Sequence, residues 1–253
     1  MTALAVLLGR DIGYSASPAM HNAAFDALGA DARYELRDVE PHELADEVAA
    51  LRAGDRIGAN VTKPYKMAVC ALVDELGPEV KRLGAANTIV RYDDRLVAHN
   101  TDLAALRGEL PPGIRRAVIL GAGGASRAAA DALRADGCHG ILVLDRSRWA
   151  SLPGALVTAD LLVNATPIGT DADETPVPAA LLRREMAVLD LVYRPSPSRL
   201  VREAREIGAR ARGGAGMLLR QAALSFSIWA DREAPIDAMR AALRTELGPG
   251  ADV

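Results

Sequence analysis

Apolar positions along the chain fall into short dense runs, separated by longer segments with helical spacing. Leu4–Leu8, Ala117–Leu120, Ile141–Leu144, Leu161–Val163 and Val188–Val192 read as strands. Most are near-continuous and lack polar alternation, as in parallel strands covered on both faces. Segments 18–28, 64–76, 124–136, 198–207 and 217–229 read as helices. The first has Ser17 as N-cap, Pro18 at the first helical position and Gly29 past its end. Strands alternating with helices predict an α/β fold.

The stretch Glu109-Leu110-Pro111-Pro112-Gly113 interrupts this pattern just before the strongest strand–turn–helix signal. A domain change is expected there or slightly earlier, near Thr101. The division is residues 1–101 with about 217–253, and residues 102–216 as a Rossmann-like unit. Only 15 residues, Arg146 to Asp160, separate the strands ending at Asp145 and starting at Leu161. A helix of about 10–12 residues, a further strand and a connection do not all fit there. A helix of about one turn and a short edge strand near Ala155–Val157 are predicted, leaving the adenosine end of a bound dinucleotide exposed.

Composition narrows the classes. Of 253 residues half are apolar and a quarter charged, which suits a packed core and excludes disorder as the main state. A net charge of −3 offers no basic field for nucleic acid. Cys70 and Cys138 are the only cysteines, too few for a disulfide scaffold or a Cys-rich zinc site. His21 and His99 have no metal-ligand spacing, so no metal is expected. No apolar run reaches the roughly 18 residues of a membrane span. Met1 to Gly9 lacks a basic leader and reads as a first strand rather than a signal peptide, so a cytoplasmic location is expected. The sequons at Asn60 and Asn164 are then coincidental.

The densest chemistry follows the run Arg116–Leu120. Gly121-Ala122-Gly123-Gly124-Ala125-Ser126 leads into an Ala-rich helix, and a second strand ends at Asp145. Gly121 permits the tight turn, Gly123 lets a pyrophosphate approach the backbone, and Ser126 is small enough for close helix packing. The helix start supplies N–H groups and positive dipole to a phosphate. Asp145 stands near the position of a ribose-binding acid. Arg146 and Ser147 beside it suit a 2′-phosphate, which a carboxylate repels.

Several further segments resemble the shikimate dehydrogenase family, which includes quinate/shikimate dehydrogenases. They are Ser15-Ala16-Ser17-Pro18-Ala19-Met20-His21-Asn22, Asn60-Val61-Thr62-Lys63-Pro64-Tyr65-Lys66, Gly84-Ala85-Ala86-Asn87-Thr88 and Asn100-Thr101-Asp102. Asn164-Ala165-Thr166-Pro167-Ile168-Gly169, Asp190-Leu191-Val192-Tyr193-Arg194-Pro195 and Gly216-Met217-Leu218-Leu219-Arg220-Gln221 continue the match, in the family's order. The resemblance implies a two-domain enzyme that reduces 3-dehydroshikimate to shikimate with NADP, its substrate domain being 1–101 plus 217–253. It implies Lys66 and Asp102 as the catalytic pair. Ser15, Ser17, Thr62, Asn87, Tyr193 and Gln221 join them in holding the substrate. The glycine turn with Asp145, Arg146, Ser147, Asn164, Ala165, Thr166, Leu191 and Gly214 would hold the cofactor. Tyr14, Asp11, Leu103-Ala104-Ala105, Thr170 and Asp145 depart from the family's usual residues, and Asp145 makes NAD a usable alternative.

The chemistry asked of these residues is hydride at a ketone carbon and a proton at its oxygen. Lys66 can give the proton if its pKa is lowered, and Pro64 as a helix start puts Lys66 in a first turn, where the dipole disfavours a cation. Asp102 alone could cap a helix starting near Leu103, as could Thr101. Ser17 could cap and bind together, while Ser15 has no evident capping duty and reads as a pure ligand. Asn87 and Gln221 suit a polyol. A quinate, aminoshikimate or related polyol-acid dehydrogenase, and a non-catalytic dinucleotide- or metabolite-sensing module, remain alternatives. Intact Lys66 and Asp102 speak against the sensor. A small-molecule substrate and a monomer or homodimer are expected.

Overall fold

The computed structural model describes residues 2–54, 56–170 and 172–253. The elements begin with β1 (Ala3–Gly9), α1 (Ser17–Ala27), β2 (Ala32–Asp38), α2 (Leu44–Ala53) and β3 (Gly58–Val61). Next come β4 (Glu75–Leu76), α3 (Pro78–Leu83), β5 (Thr88–Tyr92), β6 (Arg95–His99) and α4 (Asp102–Arg107). Then follow β7 (Arg116–Leu120), α5 (Gly124–Ala135), β8 (Gly140–Leu144), α6 (Leu152–Leu156), β9 (Leu161–Asn164) and β10 (Ala187–Asp190). The last are α7 (Arg199–Glu206), β11 (Ala211–Arg212), α8 (Ala215–Ala230) and α9 (Ile236–Leu247). The chain divides into two compact units, one running to Thr101 and including Gln221–Glu246, the other Asp102–Arg220 with Leu247–Val253.

The first unit holds a six-stranded mixed sheet, β2-β1-β3-β5-β6-β4. β1 pairs in parallel with both β2 and β3, while β5 runs antiparallel to β3 and β6. Val6, Leu8, Ala59, Val61, Ile89, Leu96 and Ala98 on the strands pack with Val48 and Leu51 of α2 and with Val80 of α3. Each such aliphatic burial is worth about 1.5–3 kcal/mol. The chain leaves β1 in one direction to β2 and in the other to β3. The β1/β3 boundary is therefore a topological switch point, and ligands of α/β sheets bind outside the carboxyl ends of the strands at such a point.

The second unit is a five-stranded, fully parallel sheet, β11-β10-β9-β7-β8. Its central strands β9 and β10 are buried at every residue, which is why they read as unbroken apolar runs. Its own switch point lies between β7 and β9.

Several expectations are corrected. Residues 64–76 are not a helix: 63–67 form a turn, Ala68–Ala71 a 3-10 helix and Glu75–Leu76 a strand. The Lys66 carbonyl accepts the Ala86 N–H at 2.7 Å instead of entering a helical ladder, and the pairing of β4 with β6 takes the end of the segment. Helix α1 starts at Ser17 itself, and Ser15 Oγ accepts the Ser17 N–H at 3.3 Å, so the duty expected of Ser17 falls to Ser15. The strand expected to reach Val192 stops at Asp190, whose carboxylate takes the Val192 N–H. Asp102 is the first residue of α4 rather than the residue before it.

Between Arg146 and Asp160 the chain is helical for longer than the one turn expected, from Arg146 to Leu156, and omits the strand. A 3-10 helix, Arg146–Ser151, runs into α6, which buries Leu152 and Leu156 in the second core. Among the described residues no strand lies at Ala155–Val157, and β8 is the sheet edge. The C-terminal return is also narrower than 217–253. Leu247–Val253 belongs to the second unit, where Asp252 accepts from Arg205 at 2.6 Å and from the Gly213 N–H at 3.2 Å.

Candidate active site

In the first unit, residues singled out from the sequence meet at one end of the sheet. Ser15 and Ser17 follow β1, Thr62 and Lys66 follow β3, and Asn87 directly precedes β5, which starts opposite the end of β6. Backbone bonds fasten these segments together: Thr62 N–H to Leu8 O at 2.9 Å, Val61 N–H to Asn87 O at 2.8 Å, and Asn87 N–H to His99 O at 3.0 Å. Lys66 is tied next to Asn87 through Ala86. Gly9 allows the approach, because a Cβ there would stand 2.5 Å from Thr62 Cγ2.

Polar side chains at this end are buried and mutually bonded. Asn60, Asn87, Thr88, Asn100, Thr101 and Ser17 are all buried. Asn87 Oδ1 accepts the Thr101 N–H at 2.8 Å and the Thr88 hydroxyl at 2.9 Å, and Nδ2 donates to Thr101 Oγ1 at 2.9 Å. Asn60 accepts the Tyr34 hydroxyl at 2.9 Å and donates to the Asn87 carbonyl at 3.0 Å. Buried polar groups are costly unless bonded, so this network specifies one arrangement. His21 lies beneath it, stacked on Tyr34 with ring centroids 4.2 Å apart. Burial pushes its pKa down to about 3, which keeps it neutral.

Lys66 is half-buried in the turn before the 3-10 helix, so no helix dipole acts on it as the sequence suggested. Gln221 is half-buried on α8, in the part of that helix belonging to the first unit. Asp102 and Tyr193 belong to the second unit. Asp102 is buried at the start of α4 and Tyr193 is half-buried three residues after β10 ends.

In the second unit the glycine turn joins β7 to α5 at the switch point. Gly121 has φ +104°, and a Cβ there would stand 2.8 Å from Ala165 O, so both conformation and space require glycine. Gly123 is the residue before α5, and no side chain caps that helix. A Cβ at Gly123 or Gly124 would meet nothing within 4 Å. Ser126 is buried with its Oγ lacking a partner among the described residues. An uncapped helix start over open space fits a pyrophosphate.

Across the switch point, Asn164 ends β9 and organises the next turn. Its Oδ1 accepts the Thr166 N–H at 3.0 Å and the Thr166 hydroxyl at 2.6 Å, and its Nδ2 donates to Asp190 Oδ1 at 2.8 Å. Asp190 also accepts from Val192 N–H at 3.0 Å and Ser198 Oγ at 2.6 Å. Desolvation pushes its pKa up to about 6 despite those donors. Leu191 and Gly214 are in contact: a Cβ at Gly214 would stand 2.3 Å from Leu191 O. Asn164, Ala165, Thr166, Leu191 and Gly214 thus gather on one side of the switch point, with Ala165 and Thr166 against Gly121 across it.

Asp145, Arg146 and Ser147 follow β8 and are exposed. Asp145 caps the 3-10 helix, and its carboxylate sits below the usual range chiefly because the Ser147 hydroxyl donates to it. Sequence reasoning missed Thr88, Thr101, Asn60 and Ser225 as parts of the first cluster and Asp190 as the anchor of the second. All but Ser225 lie inside the motifs quoted above. No group of His, Cys, Asp or Glu among the described residues could hold a metal.

Family models match the chain at both ends. Residues 7–89 match the shikimate dehydrogenase substrate binding domain, and residues 214–244 the shikimate 5'-dehydrogenase C-terminal domain. The shikimate dehydrogenase (NADP(+)) of Symbiobacterium thermophilum is 41% identical over 275 residues, covering 95% of this chain and 93% of that protein. The shikimate 5-dehydrogenase of Thermus thermophilus, solved in complex with NADP(H) and shikimate, has a TM-score of 0.86 at 37% identity, covering 97% of this chain and 100% of that one. The quinate dehydrogenase of Corynebacterium glutamicum, solved with NAD, has a TM-score of 0.84 at 30% identity, covering 95% of this chain and 98% of that one.

Proposed function

The chain belongs to the shikimate dehydrogenase family, and from that premise we propose how its own residues carry out the reaction. It is an NADP-dependent oxidoreductase that interconverts 3-dehydroshikimate and shikimate. The observation supporting this reading best is the clustering of Ser15, Ser17, Thr62, Lys66 and Asn87 at the β1/β3 switch point of the first unit. A polyol acid needs hydroxyl and amide partners together with a cation, and that set supplies them.

When bound, the nicotinamide supplies the hydride that reduces the ketone carbon. Lys66 gives a proton to the ketone oxygen as it becomes the hydroxyl, and takes it back in the oxidation. Asp102 holds the substrate hydroxyl as acceptor and is the second member of the catalytic pair. Ser15 and Ser17 hold the carboxylate end, while Thr62, Asn87, Tyr193 and Gln221 orient the rest of the ring. In the second unit the α5 start with Gly121–Ser126 holds the pyrophosphate, Asp145–Ser147 the adenosine ribose and its phosphate, and Asn164–Thr166, Leu191 and Gly214 the nicotinamide side. Apart from Asp102 and Tyr193, substrate positioning lies with residues up to Thr101 and the C-terminal helices, and cofactor binding with the segment between. No described helix is long and apolar enough to cross a membrane. A cytoplasmic location belongs to the same proposal.

The test is spectrophotometric: shikimate and quinate, each with NADP and with NAD, followed at the reduced nicotinamide. The expected outcome is the highest kcat/KM with shikimate and NADP. A preference for quinate moves the chain to the quinate branch, and no turnover with either acid rejects the reading.

A further inference from the structure

In the first unit the buried side chains of Thr88, Asn87, Thr101 and Ser225 form one hydrogen-bonded cluster. Thr88 Oγ1 donates to Asn87 Oδ1 at 2.9 Å, and Asn87 Nδ2 donates to Thr101 Oγ1 at 2.9 Å. Ser225 Oγ lies 3.2 Å from Thr101 Oγ1 and 2.8 Å from Thr88 Oγ1. The Ser225 hydroxyl has one proton and the Gln221 carbonyl, 2.9 Å away, can only accept it, so the donors run Thr88 to Asn87, Asn87 to Thr101, Thr101 to Ser225 and Ser225 to Gln221. Chains of this kind polarise one another and strengthen. Two donors outside the chain fix its sense. The Thr101 N–H can only donate, which assigns Oδ1 of Asn87 to it at 2.8 Å, and Asn60 Nδ2 donates to Ser225 Oγ at 3.0 Å.

Ser225 has no exposure and comes from α8, 137 residues from Thr88 in the chain. Its hydroxyl donates to the Gln221 carbonyl, one helical turn back. One oxygen therefore meets β5, the segment after β6, and the helix that bears Gln221. We infer that Ser225 is a positioning residue for the substrate amide: it takes the Thr101 hydroxyl proton, which leaves Thr101 Oγ1 to accept from Asn87 Nδ2 and so braces the amide that meets a substrate hydroxyl. The inference rests on the reading of Asn87 as a substrate ligand.

Ser225→Ala removes the acceptor of the Thr101 hydroxyl and one acceptor of Asn60, which keeps the Asn87 carbonyl and Thr88 Oγ1. Losing such a bond without compensation is expected to raise the shikimate KM about tenfold. The KM for NADP and the kcat stay within about twofold, because neither depends on the amide's orientation. Acting through Asn87, the substitution adds nothing to KM in an Asn87→Ala background. An unchanged KM in Ser225→Ala, or the same tenfold loss recurring in the Asn87→Ala background, overturns the inference. Should Ser225→Ala fail to fold, Thr88→Val removes the hydroxyl that donates to Asn87 Oδ1, with a side chain of equal shape. The same KM-selective loss is expected, and a wild-type KM overturns the proposal. An Asn87→Ala enzyme with wild-type shikimate KM rejects Asn87 as a ligand, and this inference with it.

Discussion

Ser147 donates both its hydroxyl, at 2.6 Å, and its backbone N–H, at 2.9 Å, to the same oxygen of Asp145. The carboxylate thus does local work at the end of β8, and its charge is held there across the ordinary pH range. Asparagine offers an oxygen of the same reach, so Asp145→Asn preserves the cap while removing the charge. Against a 2′-phosphate the carboxylate is a like charge, against a ribose diol an acceptor. Asp145→Asn is expected to raise the NADP-to-NAD ratio of kcat/KM by at least about tenfold. Both cofactors measured on wild type and variant decide it, and an unchanged ratio removes Asp145 from the ribose site.

Lys66→Ala is expected to lower kcat by at least about a hundredfold, the scale for losing a proton donor. Stability is expected to hold, because the Lys66 carbonyl, not its side chain, ties the turn to Ala86. Asp102→Asn is expected to lower kcat and raise the shikimate KM together, as its two roles differ. Steady-state kinetics beside thermal melts separate these outcomes. A Lys66→Ala enzyme with most of its kcat rejects the assignment.

How far the chain's pattern carries depends on where each element is buried. Strands β9 and β10 were readable because both faces are covered and nearly every residue is apolar, whereas the two-residue β11 left no such run. β2 (ARYELRD) was not, since it lies at a sheet edge with mostly part-exposed residues. The β5–β6 hairpin turns at Asp93, which takes φ +55° without the glycine that usually marks such a turn. Segment 64–76 looked helical because a proline followed by spaced apolar residues is the usual helix opening. A long-range bond, Lys66 to Ala86, overrode that local preference. Site residues such as Thr62 and Asn87 stood out through their motifs. Ser225 did not, because one serine in an apolar helix signals nothing until Thr88 and Thr101 are seen beside it.

Asp190 gives a stability signature. Its carboxyl is raised from about 3.8 to about 6, chiefly by burial. The native state then holds a proton that the unfolded state releases. The stabilisation is full below about pH 4 and is lost as pH rises through about 6, a swing on the order of 3 kcal/mol. Asp190→Asn keeps an oxygen for Asn164 and Val192 and never ionises. Urea titrations from pH 4 to 7.5 are expected to show the variant gaining on wild type as pH rises, levelling above about 6. A pH-independent difference between the two rejects the shift.

Two glycines separate stability from binding. At Gly214 a Cβ would lie 2.3 Å from the Leu191 backbone carbonyl, so the backbone must move. Gly214→Ala is expected to cost about 1–3 kcal/mol, the range for forced overpacking. Gly123 has extended backbone at φ −81° and ψ −171°, which alanine adopts freely, and open space where a Cβ would go. Gly123→Ala is therefore expected to leave the melting temperature unchanged. That open space is where a pyrophosphate approaches the start of α5, so the methyl occupies the ligand's room rather than the protein's. The NADP KM is expected to rise at least about tenfold with kcat for bound cofactor little changed. Thermal melts and NADP titrations on both variants test the pair. A Gly123→Ala enzyme with wild-type NADP affinity places the pyrophosphate elsewhere, and one that melts early shows that the turn needed glycine for itself.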